Sequence, residues 1–243
     1  MSVNRTLIEQ LAKFDTPTIC NAIELFEVRP RDAGYANGRI RSAFPEMGPI
    51  VGIACTATFR SGSPNSGGDP YGCVEALCRQ LEQNSVPSIV ACEDLNEPPV
   101  GATFGEVMCG IYKHLGAVGL ITSGAGRDLM QIKALGFPVF LGATIAAHAY
   151  CHAVRIGGPI AVGGLRIENQ DLVHADANGM TTIPSDIASE LPNVAAEYMR
   201  CESLVIEECV GSATTAAELI ARRREMINAI ANLRRQVSRR VSD

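Results

Sequence analysis

Between Gly101 and Asp128 the chain reads GATFGEVMCGIYKHLGAVGLITSGAGRD: a glycine loop, a helical stretch, a tight turn, an apolar run, then a glycine turn ending in a charged pair. No other segment restricts the fold as much. Val107, Ile111 and Leu115 recur at helical spacing. Val118-Gly119-Leu120-Ile121 is a short apolar run of the kind buried in a parallel sheet. A helix followed by such a strand across the Gly116 turn is half of an α/β unit, so the spacing predicts a parallel sheet with helical crossovers.

Charged groups sit at both ends of this unit. Glu106 opens the helix, where the first amides lack intrahelical partners and the dipole end is positive, a setting that favours a carboxylate or phosphate. The strand leaves through Ser123-Gly124-Ala125-Gly126 into Arg127-Asp128, and in α/β sheets ligands collect at the carboxyl ends of strands. Arg127 offers a planar fork suited to oxyanions. Asp128 is a hard oxygen ligand of the type Mg²⁺ or Mn²⁺ accepts. The candidate site is therefore Gly105, Glu106, Val107, Met108, Arg127 and Asp128, with the metal at Asp128. A bare Arg-Asp pair also fits a surface ion pair, and a lone Glu at a helix start also fits a dipole partner.

Composition narrows the class. A chain of 243 residues supports one substantial core, with or without an appendage. With 47% hydrophobic residues, 5% aromatics and no Trp, it suits an aliphatic α/β core. A net charge of −5 argues against a nucleic-acid surface. No apolar run is long enough for a membrane span, and MSVNRTLIEQLAKF has no signal-peptide core. The nine cysteines are odd in number, include no CxxC and lie mostly in apolar contexts. They read as buried small hydrophobes in a reducing cytosol, so the expected location is cytoplasmic.

Along the rest of the chain the pattern predicts helices over 3–13 and Thr18–Phe26, a strand at 50–59, a helix at 74–83 and a strand at 88–92. Ser61 to Tyr71 is Gly/Ser/Pro/Asn-rich and reads as a solvent loop or a lid. Glu93-Asp94 at a strand end reads as a solvated turn, with metal assistance as the other option. A short helix over 129–135 and a strand over 138–141 follow. His148 and His152, four apart in Thr144 to Val154, are expected on one helix face, a spacing that can bind zinc but here lacks a third ligand. Strands and glycine turns fill 159–184. From Ser185 a helix runs towards Val210 with Pro192 as its interruption, and a second helix over 214–241 carries Arg222-Arg223-Arg224 and further arginines. Its basic face fits a solvated helix end or a nucleic-acid or RNase-partner surface, and the arm reads as an oligomer-forming extension. The expected division is 1–184 as the α/β catalytic domain and 185–243 as a helical extension. No Walker sequence, GxSxG elbow or properly framed GxGxxG occurs.

The chain resembles the RraA-like proteins, which include the divalent-metal-dependent 4-hydroxy-4-methyl-2-oxoglutarate aldolases. Its aldolase members carry an acidic residue, twenty intervening residues, then Arg-Asp; here residues 107 to 126 separate Glu106 from Arg127-Asp128. The likeness extends from Asp15-Thr16-Pro17-Thr18-Ile19-Cys20-Asn21-Ala22 over Gly136-Phe137-Pro138-Val139-Phe140 and Val162-Gly163-Gly164-Leu165-Arg166-Ile167 to Asp171-Leu172-Val173-His174-Ala175-Asp176, Gly179 and Pro184. The resemblance implies an α/β, layered swivelling β/β/α-type domain with a C-terminal helical arm, assembled as a homotrimer or hexamer. It implies a class II lyase using Mg²⁺ or Mn²⁺ to cleave or decarboxylate small 2-oxo acids, oxaloacetate among them, through a pyruvate enolate. Asp128 would hold the metal, Arg127 the enolate oxygen, the Val107 and Met108 amides the substrate carboxylate, and Glu106 a water. Many of the aldolases carry Asp where this chain has Glu106. The alternatives are an RraA-type protein that binds and regulates RNase E, and a lyase or dehydratase for another sugar acid or 2-oxo acid.

Overall fold

The computed structural model describes residues 3–65, 74–210 and 215–239. Its helices are α1 (Arg5–Leu11), α2 (Thr16–Phe26), α3 (Val74–Gln83), α4 (Glu106–His114), α5 (Leu129–Ala134), α6 (Leu191–Val210) and α7 (Ala216–Val237). Its strands are β1 (Arg41–Ser42), β2 (Ile50–Arg60), β3 (Ser88–Asp94), β4 (Ala102–Phe104), β5 (Ala117–Thr122), β6 (Ala125–Gly126), β7 (Val139–Leu141), β8 (Ala143–Thr144), β9 (His152–Ile156), β10 (Ile160–Val162), β11 (Leu165–Ile167), β12 (Leu172–Asp176) and β13 (Gly179–Ile183). The chain divides into two compact units, Met1–Thr16 with Gly34–Ile183, and Pro17–Ala33 with Pro184–Asp243.

The first unit is a layered α/β domain. Its main sheet runs β1-β7-β5-β3-β2-β12-β13, with β9 pairing the far half of β2. The block β2-β3-β5-β7 is parallel, and α3, α4 and α5 make the crossovers. Every residue of β2 except Arg60 is buried, so the strand shows no alternation. That is the signature of a strand covered on both faces. On one face Cys55, Ala57 and Phe59 pack with Leu77 and Leu81 of α3, Cys109 and Tyr112 of α4 and Ile132 of α5. On the other, Ile50, Ala54, Ile89 and Ile121 lie under the β10–β11 hairpin.

A second, three-stranded parallel sheet, β4-β6-β8, sits at the carboxyl end of the parallel block. Each of its strands follows a main-sheet strand directly: β4 after β3, β6 after β5, β8 after β7. The chain therefore runs strand, short strand, helix twice and ends with the pair β7–β8, which brings the ends of β4 and β6 side by side in register (Ala102↔Ala125, Phe104↔Gly126).

Helix α4 differs from the sequence reading in its buried side. Cys109 and Tyr112 face the core, while Val107 is 73% and Ile111 40% exposed. The Val107–Ile111–Leu115 stripe instead lines a surface groove together with Gly110, His114 and Leu135.

The helix expected over 144–154 does not form. β8 ends at Thr144, β9 begins at His152, and Ala149 between them takes a left-handed φ of 46°. Tertiary pairing overrides the helical pattern, because Ala102 N donates to Ala147 O at 2.8 Å and the His148 backbone lies against Gly101. His148 is exposed in the loop, whereas His152 is buried on β9 with its Nδ1 2.9 Å from Tyr150 O. The two do not form a zinc pair.

Asp94 is buried, not solvated. Its Oδ2 accepts from Ser61 Oγ at 2.7 Å and its Oδ1 from Asn96 N at 3.0 Å, so it shapes the turn after β3. The Ser61–Tyr71 loop lies outside the described residues from position 66 onward. The eight described cysteines are free thiols, four of them buried.

In the second unit α6 begins at Leu191, with 185–190 in turns. Pro192 sits in the first turn, where a missing N–H costs nothing, so it starts the helix instead of breaking it. α7 opens with a capping box: Thr215 accepts from Glu218 N, and the Glu218 carboxylate accepts from Thr215 N. Arg222 is neutralised by Glu208 and Glu225, and Arg239 by Glu190.

Candidate active site

The small parallel sheet explains the spacing of the charged residues. β4 ends at Phe104 and is followed at once by Gly105 and Glu106; β6 ends at Gly126 and is followed by Arg127 and Asp128. Register places the two strand ends together, and α4, its turn and β5 supply the intervening chain. Arg127 N donates to Phe104 O at 3.1 Å, and Thr103 Oγ1 donates to Ala125 O at 3.1 Å, which ties the two exits.

Asp128 is held in a specific pose. It adopts φ 58°, ψ 35°, a left-handed conformation that Asp tolerates better than most residues. From there its Oδ2 accepts from Glu106 N at 3.1 Å and lies 3.8 Å from Arg127 Nε. Gly105 makes the approach feasible: a Cβ on that residue would lie 2.5 Å from Asp128 Oδ2. Gly105 itself is extended, φ −152°, and offers α4 no side-chain cap. Of the first α4 amides, Glu106 N is taken by Asp128 and Cys109 N by Gly105 O. Those of Val107 and Met108 have no partner among the described residues.

These groups surround a cavity of about 60 Å³ lined by Ala102, Thr103, Phe104, Gly105, Val107, Met108, Arg127, Asp128 and His148. The Arg127 and Asp128 side chains are 40% and 37% exposed, so the cavity is open to solvent. Five of the six sequence candidates line it. Glu106 contributes its amide to the cluster through Asp128, but its exposed side chain lines the neighbouring apolar groove. His148, assigned by sequence to a helix face, lines the cavity. The only sequence signal for it was a histidine in a stretch whose conformation the local pattern misstates. Cys109, below the site, is held as a thiol: burial, then the Asp128 charge, pushes it up to about 12.

The donor set fits one kind of metal. No group of three His, Cys, Asp or Glu side chains able to hold an ion occurs among the described residues, which excludes an all-protein zinc cage there. One carboxylate in an open cavity matches the way Mg²⁺ binds, through one or two carboxylates with water and substrate oxygens completing the shell. Asp128 Oδ1 takes no hydrogen bond among the described residues and is the oxygen available for that role.

The family model described as RraA-like (Aldolase/RraA) matches residues 16–182. The chain belongs to the RraA-like family. A Halalkalibacterium halodurans protein provisionally named 4-hydroxy-4-methyl-2-oxoglutarate aldolase is 43% identical over 140 residues, 57% of this chain. The match covers 61% of that relative's length. An uncharacterized Pseudomonas syringae protein superposes with a TM-score of 0.71 at 19% identity, covering 92% of this chain and 95% of the other. Streptomyces coelicolor RraAS2, described as an unusual member of the RNase ES inhibitor RraA family, gives 0.68 at 20% identity, covering 84% and 96%. At these identities the two structures establish the shared fold alone: an α/β domain of the RraA-like type with C-terminal helices. No helix among the described residues is long and apolar enough to cross a membrane.

Proposed function

We propose that the chain is a divalent-metal-dependent C–C lyase for small 2-oxo acids. It cleaves 4-hydroxy-4-methyl-2-oxoglutarate-type aldols and decarboxylates oxaloacetate, both through a pyruvate enolate. One observation carries the reading: β4 and β6 bring the Asp128 carboxylate, the Arg127 guanidinium and two helix amides without a partner among the described residues to one cavity. The name of the Halalkalibacterium relative supports the same class.

Each group has a part that its chemistry suits. The Val107 and Met108 amides, at the positive end of α4, receive the substrate's C1 carboxylate. Arg127 faces the oxygen at C2, where negative charge develops as the C3–C4 bond breaks, and is placed to stabilise it. Asp128 holds the Mg²⁺ or Mn²⁺, which when bound supplies Lewis-acid polarisation of the 2-oxo group. Glu106 N fixes the Asp128 carboxylate. The Glu106 carboxylate, on the groove side of the helix, acts on the cavity through water. The working form is a cytoplasmic homo-oligomer, trimer or hexamer, with a small 2-oxo acid as its partner.

The test is pyruvate release from oxaloacetate with Mg²⁺, repeated after EDTA and again after restoring Mg²⁺ or Mn²⁺. Release that vanishes with EDTA and returns with metal is expected. No release under any metal condition, with 4-hydroxy-4-methyl-2-oxoglutarate equally inert, overturns the reading and leaves the RNase-regulator alternative. A panel of sugar acids and 2-oxo acids separates the remaining lyase options.

A further inference from the structure

We propose that His148 is the acid–base residue of the cavity, carrying the proton to and from C3 of the pyruvate enolate. This rests on the lyase reading above and adds a residue to it.

Either reaction leaves an electron pair on C3 that must be protonated before pyruvate departs. Three residues with ionisable side chains line the cavity: Arg127, Asp128 and His148. A guanidinium does not give up its proton in proteins. Asp128 is engaged by Glu106 N and is the metal's carboxylate. Glu106, to which the resemblance gives a water, lines the groove beyond the cavity and reaches the reacting carbon only through that water. Imidazole is the side-chain type that ordinarily exchanges protons near neutrality.

The loop holds the residue's backbone in place. Its backbone is fixed on both sides, by Ala102 N donating to Ala147 O and Cys151 N donating to His148 O, each at 2.8 Å. The close approach at Gly101 leaves no room for a Cβ there, since one would lie 2.6 Å from His148 O. His148 Nδ1 is 3.3 Å from Ala149 O. A carbonyl oxygen only accepts, so this contact suits the tautomer with its proton on Nδ1, which leaves Nε2 as the basic nitrogen. The residue is also exposed, so water can replenish its proton.

The proton count closes for both substrates. In aldol cleavage Nε2 removes the proton of the C4 hydroxyl as the C3–C4 bond breaks. The bond pair moves to C3 and is delocalised onto the C2 oxygen, and the imidazolium returns the same proton to C3. In decarboxylation CO₂ leaves, the pair stays on the enolate, and an imidazolium charged from solvent protonates C3.

The experiment compares wild type with H148Q and H148N, both with Mg²⁺. Exchange of the pyruvate methyl protons in D₂O is followed by NMR, and binding of oxalate, an enolate mimic, by calorimetry. Methyl exchange should fall by about 10²-fold or more, while oxalate affinity stays within about threefold. In spectra of the four-histidine protein, the imidazole signal missing from H148Q should shift when oxalate is added to wild type. Exchange at the wild-type rate in both variants overturns the proposal, as does an oxalate affinity that falls in step with the rate. A wild type that neither exchanges pyruvate nor cleaves oxaloacetate defeats the lyase reading itself and the proposal with it.

Discussion

Replacing Gly105 with Ala isolates the geometry of the site from the stability of the fold. Its φ of −152° is open to any residue, so no backbone strain follows. The conflict is local: the new Cβ would sit 2.5 Å from Asp128 Oδ2, 3.2 Å from Arg127 Cγ and 3.3 Å from Arg127 Nε. Relief to an ordinary contact requires the carboxylate to retreat by roughly 1 Å, breaking its bond from Glu106 N and re-aiming Arg127. A displacement of that size at reacting groups costs about 10²-fold, or about 2.7 kcal/mol of transition-state stabilisation. Stability should hardly change. Ala is a poorer helix N-cap than Gly by somewhat under about 1 kcal/mol, and the lower entropy of the unfolded chain offsets a comparable amount. The expected result is kcat/KM for oxaloacetate lowered about 10²-fold with Tm within about 2 °C of wild type. Steady-state pyruvate release and a thermal melt on the same preparation check it. Wild-type kcat/KM in G105A would refute the argument, because it would mean the position of the Asp128 carboxylate is irrelevant to turnover.

Asp128→Asn keeps a side chain that tolerates the left-handed φ and an acceptor for Glu106 N, but removes the charge. Turnover should fall at least about 10²-fold with Tm unmoved, whereas Asp128→Ala adds about 1 kcal/mol of backbone strain, readable in urea unfolding. Gly126→Ala would put a Cβ 2.3 Å from Cζ of the buried Phe104 ring, and should cost about 1–3 kcal/mol in urea unfolding. His174 is fully buried, with Nδ1 2.9 Å from Thr16 Oγ1 and Nε2 3.3 Å from Leu11 O. Burial lowers its pKa against the opposing pull of the Leu11 carbonyl and Asp176. The unfolded chain therefore takes up the proton first as pH falls. The contribution is complete above the unfolded value of about 6.5 and is lost below it, with a slope of at most about 1.4 kcal/mol per pH unit. Melts from pH 7.5 to 5 should show that loss, and His174→Gln should flatten it.

What the sequence made legible were features with a local cause. The apolar run before Ser123 could only be a covered strand, and the helix before it had to be a crossover, so Arg127-Asp128 at a strand's carboxyl end followed from chain order. The helix read over 214–241 forms as α7 from Ala216, started by a Thr215–Glu218 capping box. The failures have a non-local cause. Residues 144–154 carry helical periodicity, yet the backbone there spends hydrogen bonds on Ala102, Gly126 and Ser61, and nothing within eleven residues reports that demand. The Val107–Ile111–Leu115 stripe reads as a core face because periodicity locates apolar side chains without saying which side the sheet lies on. Tyr112 and Cys109, on the opposite face, take the core instead.

Those two misreadings are one structural fact seen from two places. The short strands of the second sheet occupy the carboxyl end of the parallel block, so α4 starts from the end of β4, not from the end of β3. That start turns Glu106 outward while leaving its amide on Asp128, and draws the 147–149 backbone alongside Gly101 and Ala102. A sheet of three strands, two of them only two residues long, is too brief to register in hydropathy. It nevertheless decides which third residue with an ionisable side chain lines the cavity with Arg127 and Asp128. The spacing of twenty residues identifies the pair of strand ends that meet; the identity of the third group, His148 in place of Glu106, depends on a pairing that has no local pattern of its own.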